Sequence, residues 1–187
     1  MTLNKNSFRK KCLTKLKKGA MQNRLYKSAL LNRRLLKILR EQKRGSKILF
    51  YYPLSMEADI VKVLKIMRQK CDIYIPFMVE QSFKMVPFRL PLKKKKFGIF
   101  EAGNSVKNIK NIDVAIVPVV GVDGNLKRIG FGKGMYDRFF ERLQKRPYTI
   151  FTQLEFCYTK RMICDDYDIA CDILLTPKKV IKRKNRK

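Results

Sequence analysis

The stretch NIDVAIVPVV, Asn111–Val120, carries no charge after Asp113 and is dominated by β-branched side chains. A strand wet on one face alternates apolar with polar residues. An unbroken apolar run of this kind therefore predicts a strand covered on both faces, central in its sheet. It runs on into GVDGNLKRIGFGKGMYDRFF, Gly121–Phe140, where Gly130, Gly132 and Gly134 occupy alternate positions beside Arg128 and Lys133. Apolar residues then return at helical spacing, at Tyr136, Phe139, Phe140 and Leu143. The order is strand, loop, helix.

The same order repeats outward from this segment. Upstream, KILFYYPL is a buried strand closed by Pro53, and SMEADIVKVLKIMRQK an amphipathic helix with Ser55 as its N-cap. CDIYIPF gives a further strand, SFKMVPFRL a hairpin arm, and Lys93–Lys96 with Gly98 a loop. From Leu3 to about Arg44, apolar residues at three- and four-residue intervals among basic ones predict two helices, with Gly19 as the break. Downstream, YTIFTQL and DILLT are strands, and 178–187, seven of them Lys or Arg, form a basic frayed tail. There is no internal repeat. Alternating strands and helices predict a three-layer α/β unit, a mainly parallel sheet with helices on both faces, and ligands bound beyond the carboxyl ends of its strands. The 187 residues suffice for one domain.

Composition sets further bounds. With 45% hydrophobic residues the chain can bury a core despite a net charge of +29. That charge permits polyanionic partners, and it is also what a Lys-rich bias over solvated faces would give. Five cysteines without a CxxC pair, and no histidine, argue against a zinc site or a secreted disulfide framework. Reduced thiols serving as packing, in the cytoplasm, are expected. No run reaches the ~20 apolar residues of a membrane span, and no signal-peptide core is present.

Glycines without Cβ let φ become positive and let a phosphate reach backbone N–H groups, and a following helix start adds unpaired N–H groups. The pattern is neither a P-loop nor a dinucleotide fingerprint, and GxGxG alone is also compatible with a plain strand-to-helix turn. The wider segment is more specific. VPVVGVDGNLKRIGFGKGMYDRFF resembles the signature of the 5-formyltetrahydrofolate cyclo-ligase (5,10-methenyltetrahydrofolate synthetase) family, with Pro118, Asp123, Arg128, Gly130, Gly132, Gly134, Tyr136, Asp137 and Arg138 in register. Lys5 and Arg9 match the family's first helix, Glu57 and Asp59 its E-x-D turn, and Asp168 and Asp172 its late D-x-x-x-D. Departures are Val122 for phenylalanine, Leu126 for the glycine just before the arginine, and Met135 for the first of two tyrosines. Phe156, Cys157 and Cys164 replace the late E-x-Q and proline.

The resemblance implies a NagB/RpiA/CoA-transferase-like fold and the ATP-dependent conversion of 5-formyltetrahydrofolate to 5,10-methenyltetrahydrofolate, with Mg²⁺ as cofactor. It implies that Lys5, Arg9, Arg128, Ile129, Gly130, Phe131, Gly132, Lys133, Gly134, Met135 and Tyr136 hold ATP, with Lys133, Arg128 and Tyr136 catalytic. Tyr52 and Glu57 would bind the folate together with Phe131, Gly132, Lys133, Gly134 and Met135. Asp137 and Asp168 would hold the metal. Expected partners are ATP and a folate, polyglutamylated forms included, for a chain that is a monomer or weak dimer with no membrane attachment. The alternatives from other classes are a basic nucleic-acid-binding protein, for which no reading module is present, and a folate-binding relative without activity.

Overall fold

The computed structural model describes residues 4–95, 98, 100–105, 109 and 111–183. Its elements in chain order are helices α1 (Lys5–Met21) and α2 (Arg24–Leu39), strand β1 (Lys47–Leu49), helix α3 (Val61–Met67) and strands β2 (Asp72–Val79) and β3 (Ser82–Pro87). Short strands β4 (Lys93–Lys94) and β5 (Phe100–Glu101) precede β6 (Val114–Pro118), β7 (Gly121–Val122) and β8 (Arg128–Ile129). Helix α4 (Met135–Glu141) and strands β9 (Tyr148–Thr152), β10 (Ile173–Leu175) and β11 (Val180–Lys182) complete the chain.

A seven-stranded sheet runs in the order β11-β10-β9-β6-β1-β2-β3. The five strands from β10 to β2 are parallel to their neighbours in that group, and β3 and β11 pair antiparallel at the two edges. Strand β6 is central, as its composition requires, and all five of its residues are buried. Successive side chains of a strand point to opposite faces. Ile116 accordingly packs with α1, α2 and α3, while Ala115 and Val117 pack with Phe139 of α4. The helices thus lie on both faces.

The helix starts obey local chemistry. Asn4 accepts from the Ser7 N–H at 2.8 Å and Ser7 Oγ accepts from the Asn4 N–H at 3.2 Å, a reciprocal cap for α1. Its buried stripe, Phe8, Cys12, Leu16 and Gly19, follows the helical period. Gly19 is therefore not the break between the helices. It lies inside α1, where a Cβ would stand 2.3 Å from Glu155 Cγ, and the chain turns instead at Asn23, left-handed at φ 57°. Ser55 does not cap α3 either. Residues 54–57 form a turn, and α3 begins at Val61, whose N–H is received by Asp59 Oδ1 at 3.1 Å.

Three further expectations need correction. Lys93–Lys94 are paired as β4 with β5 rather than looped, whereas Lys96 lies outside the described residues. Val180–Lys182 of the basic tail are ordered as β11, because β10 offers a free edge, and 184–187 lie outside the description. Not all thiols are reduced: Cys12 of α1 and Cys157 after β9 form a disulfide, with Cα atoms 5.8 Å apart, while Cys71, Cys164 and Cys171 are free.

Leu126, the replacement for a family glycine, sits at φ 57° with its side chain buried. Left-handed backbone costs a residue with a Cβ about 1–2 kcal/mol, which burial of the leucine, about 1.5–3 kcal/mol, offsets. Leu126→Gly should thus destabilise by only about 1–3 kcal/mol, against 2–5 kcal/mol for emptying a leucine site with ordinary φ. Denaturant midpoints of Leu126→Gly beside Leu49→Ala measure the difference.

Candidate active site

Strand order places the site. Along the five parallel strands the connection from β1 runs outward to β2, and that from β6 runs the other way, to β9 and β10. Loops leaving the carboxyl ends of β1 and β6 therefore diverge and leave a crevice between them. The first carries Tyr52 and Glu57. The second carries Arg128 and the glycine segment.

A cleft of about 850 Å³ opens over the glycine segment, lined among others by Lys5, Arg9, Arg128, Gly130, Gly132, Lys133, Gly134, Asp137 and Asp168. These nine candidate site residues thus share one space. Gly132 (φ 100°) and Gly134 (φ 61°) are left-handed, and nothing lies within 4 Å of a Cβ built on Gly132. Gly130 is needed for another reason: a Cβ there would meet the Arg128 guanidinium at 2.3 Å. Arg9 Nε donates to the Gly130 carbonyl at 2.9 Å, tying α1 to the segment, and Arg138 ties its other end to the β2–β3 turn by donating to the Gln81 carbonyl at 2.9 Å.

Arg128 is buried in a socket of different partners. Its guanidinium lies 4.8 Å from the centre of the Tyr136 ring, Nη1 is 3.5 Å from Asp137 Oδ2, and Nε donates to the Pro118 carbonyl at 3.3 Å. Asp168 is buried, accepting from the Asp165 N–H at 2.7 Å and from Lys5 Nζ, which also reaches Asp165 at 2.9 Å. Burial alone would lower the Lys5 pKa, but the hydrogen bonds and charges of Asp168 and Asp165 outweigh it and hold the ammonium above its ordinary range. Among the described residues no cluster of three or more acidic, His or Cys side chains forms a metal cage.

Glu57 and Tyr52 are not on the walls of that cleft. Glu57 is buried behind Arg128 and Tyr136, accepting from the Leu54 N–H at 2.8 Å, and Tyr52 is half-buried with its ring 5.3 Å from that of Phe100. Ile129 is wholly buried, while Phe131 and Met135 are packed on the two cores. Burial pushes the Glu57 carboxyl up to about 7, against the Leu54 N–H and the charges of Arg128 and Arg24, which favour the anion. Burial and the Glu57 charge likewise raise the Tyr136 hydroxyl, which stays protonated and able to donate.

A carboxyl that ionises at about 7 when folded and 4.5 otherwise gives the folded state an extra proton between those values. The associated stability is complete below about pH 4.5 and is lost as pH rises through about 7. Glu57→Gln, neutral throughout, should flatten this part of the profile. Denaturant midpoints of both proteins between pH 4.5 and 7.5 measure it, and parallel curves would show Glu57 to be solvated.

Sequence reasoning missed the partners of these groups more than the groups. Arg24, whose guanidinium donates to the carbonyls of Glu57 (3.0 Å) and Leu54 (3.1 Å), looks in the sequence like one more basic residue on a basic helix.

A model of the 5-formyltetrahydrofolate cyclo-ligase family matches residues 1–177. The chain belongs to that family. The 5-formyltetrahydrofolate cyclo-ligase of Mycoplasma genitalium is 29% identical over 180 residues, 92% of this chain and 98% of that one. The Haemophilus influenzae protein of the same name is 25% identical over 117 residues, 58% of this chain and 63% of that one. A solution structure of Aquifex aeolicus 5,10-methenyltetrahydrofolate synthetase shares the fold, with TM-score 0.76 at 24% identity over 98% of this chain and 94% of that one. Among the described residues no helix is long and apolar enough to cross a membrane.

Proposed function

We propose that this chain is an ATP-dependent ligase that closes the ring of 5-formyltetrahydrofolate to give 5,10-methenyltetrahydrofolate, ADP and phosphate. The observation that carries the reading is the meeting of a bare, cation-flanked backbone, Gly130 to Gly134, with a buried carboxyl, Glu57, on the far side of Arg128. The first suits the phosphates of a nucleotide, and the second suits the N–H-rich edge of a pterin.

The reaction needs a formamide oxygen turned into a leaving group. In the proposed sequence the γ-phosphoryl group passes from ATP to the formyl oxygen on N5, releasing ADP. N10 then attacks the formyl carbon, the C–O bond breaks with departure of phosphate, and N10 loses its proton. Phosphoryl transfer asks chiefly for position and charge neutralisation. Lys133 and Arg128 supply positive charge where the phosphoryl group moves, the backbone N–H groups of 130–134 orient it, and Arg9 keeps that backbone in place through the Gly130 carbonyl. Tyr136, held protonated, donates a hydrogen bond. Phe131 and Met135 bound the space between the substrates, Glu57 accepts from the pterin, and Tyr52 packs at its margin.

Asp137 and Asp168 border the cleft, and each now faces a cation, Arg128 or Lys5. Two carboxylates beside a phosphate site fit Mg²⁺, which ordinarily takes one or two carboxylates and completes its shell with phosphate and water. Such an ion would supply neutralisation of the phosphate charge. The cytoplasm, where ATP is available, is the proposed place of work, and the basic surface suits acidic polyglutamate tails on the folate.

The test is direct. The purified chain is mixed with ATP, Mg²⁺ and 5-formyltetrahydrofolate, and the near-ultraviolet absorbance of the methenyl product is followed together with ADP release. Both signals should rise in equal amounts and each should require the other substrate. Folate binding without either signal would mean an inactive relative, and polynucleotide binding with a steep salt dependence and no turnover would mean a nucleic-acid-binding protein.

A further inference from the structure

Arg24, Ser28 and Asn32 stand four residues apart on α2 and so share one face of it. That face meets the turn that carries Glu57. Arg24 donates to the Leu54 and Glu57 carbonyls, Ser28 Oγ accepts from the Asp59 N–H at 2.9 Å, and Asn32 Nδ2 donates to the Asp59 carbonyl at 2.8 Å. Residues 50–60 contain no helix or strand, so their half-buried backbone groups need partners from elsewhere. The α2 stripe meets four of them. From the sheet side, Tyr51 adds one more by donating to the Ala58 carbonyl at 2.9 Å. Asn32 keeps its orientation although its buried Oδ1 has no partner among the described residues, a cost that an apolar side chain would avoid.

We propose that this polar stripe, with Arg24 at its head, is a positioning element for the folate side of the reaction: it fixes the turn that aims the Glu57 carboxyl, and so sets folate affinity without touching the nucleotide cleft. The inference rests on the reading of Glu57 as the pterin's acceptor. Arg24 is not a lining residue of the nucleotide cleft, and among the described residues its hydrogen bonds go to the backbone of the turn that carries Glu57. Its charge has a second effect. The side chains that face the Glu57 carboxyl are Arg24 from α2, Arg128 from β8, Tyr136 from α4 and Tyr51 after β1; the ionised form is favoured by the Leu54 N–H and, among these side chains, by the two arginines. Taking Arg24 away therefore misplaces the carboxyl and makes it ionise at higher pH.

Arg24→Ala, Arg24→Gln, Arg24→Lys and Glu57→Gln test this in the intact chain. Dissociation constants for 5-formyltetrahydrofolate and for ATP are measured separately, and the KM for folate is followed from pH 5.5 to 9. Arg24→Ala should weaken folate about 10- to 100-fold, the loss expected for two charge-assisted hydrogen bonds, and leave ATP within about twofold. Arg24→Gln should move the rise of folate affinity with pH upward from about 7, and Arg24→Lys should restore part of the affinity and the profile. Equal losses for folate and ATP, or an unmoved pH profile in Arg24→Gln, would overturn the proposal. If Glu57→Gln weakens folate and the Arg24 variants do not, the positioning role falls and the acceptor stands; if Glu57→Gln itself leaves folate binding unchanged, the acceptor reading is what fails. Should Arg24→Ala not fold, Ser28→Ala, which removes one bond to the same turn, carries the same comparison.

Discussion

Lys133→Ala is expected to lower turnover by about 10²- to 10⁴-fold while folate affinity changes less than about twofold. Lys133 stands between two left-handed glycines, so its direction is set by backbone that few other residues can adopt, and its side chain is exposed on the cleft wall. A charge held there costs nothing to the core, and truncating an exposed side chain leaves stability within about 0.5 kcal/mol. What it removes is stabilisation of the phosphoryl group in flight. Lys133→Arg should recover only part of the rate, because a planar fork does not replace a compact ammonium. Single-turnover kinetics with saturating ATP isolate the step, and an unchanged single-turnover rate would take Lys133 out of it.

The second large effect concerns the bond between Cys12 and Cys157. The two residues are 145 apart in sequence, and closing so long a loop restricts the unfolded chain by an amount worth about 3–5 kcal/mol. This is a large share of the ~5–15 kcal/mol by which folded domains exceed their unfolded states. Reduction, or Cys12→Ser with Cys157→Ser, should shift the denaturant midpoint accordingly. Both sulfurs are buried, so a reductant should act through opening of the fold and not directly. Alkylation in denaturant without reductant should label three of the five thiols, those of Cys71, Cys164 and Cys171. Five labelled thiols and an unmoved midpoint would refute the prediction. The bond joins α1, which carries Lys5 and Arg9, to the loop after β9, where Lys15 also donates to the Phe156 carbonyl at 2.6 Å.

Much of the architecture could be read from residue order. The central place of β6 followed from an apolar β-branched run, and the convergence of Lys5, Arg9, Arg128 and the glycines on one cleft followed from a motif whose spacing survives in the chain. What escaped depends on distant partners. Gly19 looks like a helix end until Glu155 is seen against it. Ser55 has the chemistry of a cap, but the Leu54 N–H goes to Glu57 and the helix starts six residues later. A disulfide between α1 and the β9 loop leaves no local pattern, and its cysteines resemble the free ones. Val180–Lys182 hold two apolar residues among basic ones and become a strand only because β10 lacks a neighbour. Arg24, Ser28 and Asn32 grip backbone carbonyls and N–H groups, which are the same whatever the sequence opposite.

The final strand also changes what the surplus of positive charge does. A sheet whose outermost backbone groups are unpaired invites the margin of another copy to dock on it. Here β11 carries Lys182 and is flanked by Lys178, Lys179 and Arg183, and β3 on the far margin carries Lys84 with Arg89 just beyond. Two copies meeting rim to rim would bring cations against cations, so the fold guards itself against stacking into filaments. The guard weakens as ionic strength rises and the repulsion is screened.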